Sequence, residues 1–505
     1  MMADPTRQDI AHRGGRAVAQ VLGRTAFVRV VTLVGTVVLA RLLSPAEFGA
    51  FAIVGAIVGA VSLVGDLGLG ASLIQQPEEP DPAERSTART LQVVVALIAV
   101  AVLWVAAPVL VSVFGDLGPD GVAYLRVLSL ILLPGALRIV PGVMLERDLQ
   151  YRILALAEVG AHLVFYGVAI ALAVTGASTW SFVVASVAQV VVGALIVNLA
   201  WARRHRAGHE PASPRPGRAA GWLAFDRRVV RRRGGFAMGF QAANVLAWLR
   251  DAVVPLAGGI LGGAVVVGHL QFAWRTSQLV SSVEDVVARV AFPAFSRLQH
   301  DRAGLALAVA GATTASAYLI VPAQLWVAAV APTLVPWLFG PQWDPAIVPL
   351  QLACLAAVTR FPVRMVRQGE FAGGNIRRGV EIVAIGCALT WLLVPPGLVW
   401  GGEVGAAVGL LVSGALALVA MAALPTMGRV PFRDLTRVVV ESALAAGAGA
   451  LVLAIAPWST TLALAASGAV TLAVLAVLFL LLERRPLDRL RRIIVSGEAP
   501  GAAVV

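Results

Sequence analysis

From residue 24 to residue 482, apolar runs alternate with short polar segments. Each run is close to the ~20 residues that carry an α-helix across a bilayer. Most are apolar around their whole circumference, which marks helices in lipid or deep in a bundle. The pattern predicts an all-α polytopic membrane protein with about fourteen spans, at 24–43, 48–74, 90–114, 122–145, 153–174, 179–201, 235–261, 264–296, 304–338, 346–371, 379–395, 399–424, 437–456 and 460–482. The span at 304–338 is long enough to be tilted, or broken near Pro322.

The polar segments orient these spans. With segment 1–23 in the cytoplasm, the inner segments collect Arg7, Arg13, Arg16, Arg85, Arg89, Arg147 and Arg152, and the tail 483–505 adds more. The linker 202–233 contributes ten arginines, while the outer loops hold essentially only Arg41. That asymmetry is the positive-inside rule, and it predicts both termini in the cytoplasm of a bacterial cytoplasmic membrane. Trp222, Leu223 and Phe225 lie among the linker arginines. Two readings are open for the linker and the tail: an amphipathic helix on the anionic inner leaflet, or an ordinary cytoplasmic segment.

Six spans precede the linker and six follow it, so both halves share one orientation. This is the parallel-repeat plan of many transporters, with a site between the halves. The expected organisation is a cytoplasmic segment 1–23, an N-lobe 24–201, the linker 202–233, a C-lobe 234–426, and two further helices with a tail at 427–505. The end of the first span, Leu43-Ser44-Pro45-Ala46 with Gly49, is weakly echoed by Leu261-Gly262-Gly263-Ala264 with Gly268.

Composition agrees with the pattern. The 505 residues are 59% hydrophobic and 13% charged, against about 25% charged in soluble domains. The net charge of +12 sets 40 basic residues against 28 acidic ones, and every basic residue is arginine, since the chain has no lysine. Without lysine there is neither a P-loop nor a Schiff base, so the chain is not expected to hydrolyse ATP. The basic residues follow membrane topology, which argues against nucleic acid as a partner. Cys354 and Cys387 sit in apolar runs without CxxC spacing and read as small hydrophobes. No cofactor or metal is expected. The polar, Arg-bearing start does not read as a cleavable signal.

Charges inside spans are expensive and mark functional positions. Arg24 and Arg29 fall in the first span and Asp66 in the second. Arg29 and Asp66 lie at matching depths of about 9 and 12 Å. Either they form a static pair, or Arg29 is a cavity charge oriented by Asp66. Arg250 and Arg275 fall near mid-depth of the seventh and eighth spans. Asp251 neighbours Arg250, but adjacent helical residues point in different directions, so mutual neutralisation is not expected. Arg360, Arg364 and Arg367 follow i, i+4, i+7 spacing and share one helix face. Arg364 and Arg367 could instead snorkel to the inner surface. Glu158 and His162 share a face at i, i+4, as a proton relay or a satisfied pair; with Asp251 they are the candidate ion-coupling groups. Mid-membrane arginine outnumbers mid-membrane carboxylate, and the arginines fall in both halves, so a cavity between them would be cationic. Guanidinium suits phosphate, and the implied cargo is anionic.

Several stretches resemble a known family: ARLLSPAEFGAFAIV…LVGDLGLGASLIQ, then YLRVLSLILLPGALRIVPGVMLERDLQYR, ARVAFPAFSRLQHDR and PTLVPWLFGPQWDPAIVPLQL. They resemble, in order, the bacterial polysaccharide transporter (oligosaccharide flippase) family of the multidrug/oligosaccharidyl-lipid/polysaccharide flippase superfamily. The resemblance covers roughly residues 20–425. It implies two six-helix lobes, alternating access, and flipping of an undecaprenyl-pyrophosphate-linked glycan from the inner to the outer leaflet. Membrane lipids, and a polysaccharide polymerase or glycosyltransferases, are the implied partners. The chain departs from the family where an Asp is usual three residues after Arg250, which is Val253 here, and at an outer basic position occupied by Gly259.

Three functions are therefore weighed. A flippase fits the cationic spans. A multidrug/cation antiporter of the same superfamily would favour an acidic cavity. A membrane polymerase or ligase would need a carboxylate or His base and usually a sizeable outer loop, and the outer loops here are short.

Overall fold

The computed structural model describes residues 27–66, 80–115, 117–206, 244–424, 426, 430–455 and 459–482. Arg24, most of the linker, the N-terminal segment and the tail lie outside the described residues, as does the side chain of Asp66. The described residues are helical throughout, with no strand among them. In chain order the helices are α1 (27–42), α2 (Pro45–Asp66), α3 (Pro82–Phe114), α4 (Gly121–Ser129), α5 (Leu132–Arg147), α6 (Tyr151–Val174) and α7 (Trp180–Arg206). There follow α8 (244–251), α9 (Val253–Ser281), α10 (Val283–Arg297), α11 (Arg302–Phe339), α12 (Ile347–Ala372), α13 (Ile376–Ala423), α14 (Phe432–Ile455) and α15 (Thr460–Leu482). Among the described residues, 11 helical segments are long and apolar enough to cross a membrane. Two of them, 244–281 and 376–423, contain internal glycine breaks, so the set is compatible with fourteen spans.

Helix α3 shows why such sequences form membrane helices. Its inward ridge is mostly small or polar: Ala88, Gln92, Ala96, Ala99 and Ala107 are buried, together with Leu103. Its outer face carries Val94, Leu97, Ile98, Val102, Val105 and Val109, all exposed. In lipid, burial of apolar surface gives no drive to associate; small residues let backbones approach and large ones face the acyl chains. The helix starts at Pro82, and the Asp81 N–H donates to Glu84 Oε2 at 3.3 Å. A second capping box opens α2: the Ser44 N–H donates to Glu47 Oε2 at 2.6 Å, and the Glu47 N–H donates to Ser44 Oγ at 3.4 Å. Each satisfies helix-end donors that lipid cannot.

Contacts divide the chain into two compact units, Met1–Val265 and Val266–Val505. The boundary falls inside α9, just after Gly263, whose backbone is non-helical at φ 75°, ψ 179°. The sequence instead suggests the linker as the divide; α8 and the start of α9 pack with the first unit, where Trp248 Nε1 would lie 3.2 Å from a Cβ on Gly59. In this unit α6 packs on α7, and α5 on α3 and α7. One of its cores joins Leu39, Leu43, Ala169 and Phe182, with Phe48 edge-on and Phe51 stacked against Phe182. In the second unit α12 packs between α11 and α13, and α11 also meets α14. There the fully buried Trp343 stacks on Phe272 at 4.4 Å.

One break differs in place from its expected position. The sequence suggests an interruption at 396–398, but those residues lie within α13. The chain turns at Gly401–Gly402, where Gly402 adopts φ 57°, ψ −141°. A positive φ suits glycine, and proline needs no such conformation. Helix α11 runs unbroken through Pro322, while the expected span 264–296 divides at Ser282.

Candidate functional site

The arginine stripe of α12 is the most developed polar feature of the second unit. The Arg360 guanidinium lies over the Trp274 ring of α9, with Cζ 4.1 Å from the ring centroid. Stacking engages the guanidinium face, while its N–H donors are arrayed around the edge. One turn along, Arg364 Nε lies 3.4 Å from Glu284 Oε1 of α10, whose side chain is buried. Arg364 is therefore held by an acid on a neighbouring helix, not simply extended to a membrane surface. Arg367 continues the stripe, half-buried. At the end of α12, the fully buried Glu370 accepts a hydrogen bond from Asn375 Nδ2 at 2.9 Å.

The platform behind this stripe is fixed by a buried amide. Gln324 of α11 is fully buried; its Nε2 donates to the Ser277 carbonyl at 2.9 Å and to Ser281 Oγ at 2.7 Å. Ser277 Oγ donates toward Gln324 Oε1 and the Ala353 carbonyl, at 3.2 and 3.3 Å. The network fixes α9 against α11 and α12, and so fixes Trp274 under Arg360. Arg275, adjacent to Trp274, is exposed.

In the first unit, Arg29 is half-buried on α1; its proposed partner's side chain is outside the described residues. Arg250 does pair with Asp251: Nε donates to Oδ1 at 2.9 Å, and Nη2 lies 2.9 Å from the same oxygen. This corrects the expectation from regular helix geometry. The helix turns at Ala252, immediately after the pair. The proposed Glu158–His162 relay differs too: His162 Nδ1 lies 2.9 Å from the Glu158 main-chain oxygen, not its carboxylate. A carbonyl can only accept, so Nδ1 is the donor there. At the two departures from the resembled family, Val253 is buried, and a Cβ on Gly259 would lie 2.8–2.9 Å from Phe114 and Ile53. That packing leaves no room for a basic side chain at Gly259.

Sequence reasoning did not single out Glu284, Gln324, or the pair His269–Glu403, whose Nδ1–Oε2 distance is 2.7 Å. Their partners are dozens of residues away in sequence, and single buried polar residues carry no spacing signal. Among the described residues no group of three or more His, Cys, Asp or Glu could hold a metal ion. Cys354 and Cys387 are buried free thiols.

The profile of the polysaccharide biosynthesis protein family matches residues 38–348. The chain is 23% identical over 382 residues to the lipopolysaccharide biosynthesis protein WzxC of Escherichia coli K12, covering 75% of this chain and 73% of WzxC. It is 28% identical over 322 residues to the succinoglycan biosynthesis transport protein ExoT of Rhizobium meliloti, covering 63% of this chain and 61% of ExoT. Its fold is like that of the lipid II flippase MurJ in an inward closed conformation, with TM-score 0.70 and 12% identity over 91% of this chain and 99% of that one. An inward-facing MATE-family multidrug transporter superposes with TM-score 0.60 at 13% identity, over 82% and 95% of the two chains. These likenesses in structure establish a MurJ/MATE-like transporter fold in a multi-pass membrane protein. By the match over most of its length, the chain belongs to the polysaccharide biosynthesis protein family.

Proposed function

We propose that this protein moves an undecaprenyl-pyrophosphate-linked oligosaccharide from the inner to the outer leaflet of the bacterial cytoplasmic membrane, by alternating access and without enzymatic chemistry. The observation that carries the reading is the Arg360–Arg364 stripe within a member of the polysaccharide biosynthesis family. A pyrophosphate carries oxyanions in the geometry that guanidinium forks recognise. Arg29, Arg250 and Arg275 are further cationic positions for the headgroup, and Arg24 is a further one from sequence. Glu158, His162 and Asp251 remain the proposed ion-coupling groups. Both termini are assigned to the cytoplasm from the arginine asymmetry. A polymerase or glycosyltransferases acting on the same carrier are the natural partners.

The antiporter reading shares the fold, but its cationic cargo would meet arginines where it needs carboxylates. Reconstitution decides between them. Proteoliposomes receive a fluorescent undecaprenyl-pyrophosphate oligosaccharide in one leaflet, and its appearance in the other is followed by a membrane-impermeant quencher. Translocation above protein-free vesicles is the expected result. Transport of an organic cation, with no movement of the lipid, would replace the flippase by the antiporter.

A further inference from the structure

We propose that Arg138 on α5 is the centre of an anion subsite in the first unit, shaped for the diphosphate headgroup of a polyprenyl lipid. The choice of lipid rests on the flippase reading; the site itself rests on geometry. Arg138 lies nine residues before Arg147, about 13 Å from that end of the helix at ~1.5 Å per residue. It is within an apolar 27-residue span and is half-buried. Among the described residues Arg138 makes no ion pair and no hydrogen bond. That sets it apart from other span arginines: Arg126 donates Nε–H to the Trp104 carbonyl at 3.2 Å, and Arg250 and Arg364 hold carboxylates. A guanidinium in a span, away from both ends, is costly unless an anion or water meets it. The arrangement therefore presents a demand for negative charge that the described protein does not supply.

The space around Arg138 is made by glycine. Gly135 and Gly142 lie on the same face of α5, three residues before and four after. A Cβ at either would meet nothing within 4 Å, so there is open space beside both glycines. On the other side Arg138 rests against α7 at Gly193. A Cβ there would lie 3.3 Å from Arg138 Nη1 and 3.6 Å from Ala161 Cβ. A larger side chain at residue 193 would push the guanidinium from its seat. The opposite face of α5 is fully committed to packing, with Val140, Val143 and Met144 buried against Ala88 of α3. The unpaired arginine thus lies beside the open space at Gly135 and Gly142, while Pro141 and Leu145 on the same side of α5 are buried. A phosphate seated there could take two parallel N–H···O bonds from the guanidinium, and the absent glycine side chains leave room for a bulky headgroup.

Binding in detergent tests the site without requiring transport. The probes are undecaprenyl pyrophosphate, undecaprenol and inorganic pyrophosphate, measured by microscale thermophoresis on the full chain. Arg138→Ala and Arg138→Gln are expected to weaken undecaprenyl pyrophosphate binding ~10- to 100-fold, the loss of a charge-assisted contact. Arg138→Lys should fall between, and Gly193→Val should weaken binding with the arginine still present. Undecaprenol binding should be unchanged in all four. Pyrophosphate binding within twofold of the original protein in both folded Arg138→Ala and Arg138→Gln would overturn the proposal, and so would an equal loss for undecaprenol. Tight binding of inorganic pyrophosphate that undecaprenyl pyrophosphate does not displace would assign the site to a free anion and overturn the lipid. Binding through Arg138 with no translocation in vesicles would leave the site standing and remove the flippase reading; the reverse pair of results would do the opposite.

Discussion

His269 and Glu403 are 134 residues apart in the chain, yet His269 Nδ1 lies 2.7 Å from Glu403 Oε2. The pair ties α9 to the residue that follows the Gly401–Gly402 break in α13. The His269 side chain is 7% exposed and that of Glu403 20%. The His269 ring also lies T-shaped to Trp343, with centroids 6.2 Å apart. Replacing His269 by Ala would leave a largely buried carboxylate without its donor, at a cost of about 1–3 kcal/mol. Glu403→Gln keeps an acceptor and should cost less. Thermal unfolding of both variants in detergent checks the order, and a His269→Ala protein as stable as the original would show the pair to be incidental.

The break beside Glu403 makes a second stability prediction. Gly397 and Gly405 face each other across the α13 hairpin, and a Cβ on either would collide with the other's main-chain carbonyl. Gly401 meets nothing within 4 Å and has a negative φ. Gly405→Val should therefore sharply reduce accumulation of folded protein in the membrane, since backbone has to move to admit it. Gly401→Ala should be tolerated. Equal yields of the two variants by fluorescence-detected size exclusion would contradict this packing.

Much of the helical order is legible because lipid imposes one rule, that every backbone group be satisfied within its own helix. Length and hydropathy therefore reveal the spans, and the glycines at 262–263 mark a real break. The break expected at 396–398 lies at Gly401–Gly402 instead: a helix in a bundle can absorb Pro395 and Pro396, whereas a φ of 57° at Gly402 ends it. The site was legible in part. The i, i+4, i+7 stripe of Arg360, Arg364 and Arg367 follows from helical period alone. What each arginine touches does not: Trp274 and Glu284 reach it from other helices, and no local pattern encodes that. Arg250–Asp251 failed for the opposite reason, since the rule for regular helices was applied beside the turn at Ala252.

Gln324 should be the most sensitive polar position of the second unit. It is fully buried, and its amide serves Ser277 and Ser281 of α9 at once. Gln324→Leu removes those bonds and takes from Ser281 Oγ its amide donor, while Ser277 Oγ keeps the Ala353 carbonyl; the loss should cost about 1–3 kcal/mol. Loss of the network also loosens Trp274, so transport should fall further than stability alone accounts for. Transport that scales only with the amount of folded protein would deny the link to Trp274.

The opening hairpin allows a test by charge reversal. If Arg29 and Asp66 pair, Arg29→Asp and Asp66→Arg should each impair the protein, and the double reversal should restore part of the loss. A double variant no better than either single one counts against the pair. In that event Arg29 is the better candidate for contact with cargo.

Arg360 carries the transport prediction. Arg360→Ala should reduce glycan export at least tenfold while protein levels hold, if its guanidinium meets the cargo headgroup as proposed. Arg360→Lys should retain part of the activity, since an ammonium keeps the charge but loses the planar fork and its stacking. Trp274→Leu keeps the arginine and removes the ring beneath it. A cation–π contact is worth about 0.5–2 kcal/mol, so export should drop roughly twofold to thirtyfold. If stacking on Trp274 orients Arg360, the double variant should lose no more than Arg360→Ala alone. Arg250→Ala should also reduce export, and there the released Asp251 adds repulsion toward an anionic headgroup. Normal export from both Arg250→Ala and Arg360→Ala, scored as surface polysaccharide in a strain lacking the native gene, would dismiss a cationic path for the cargo.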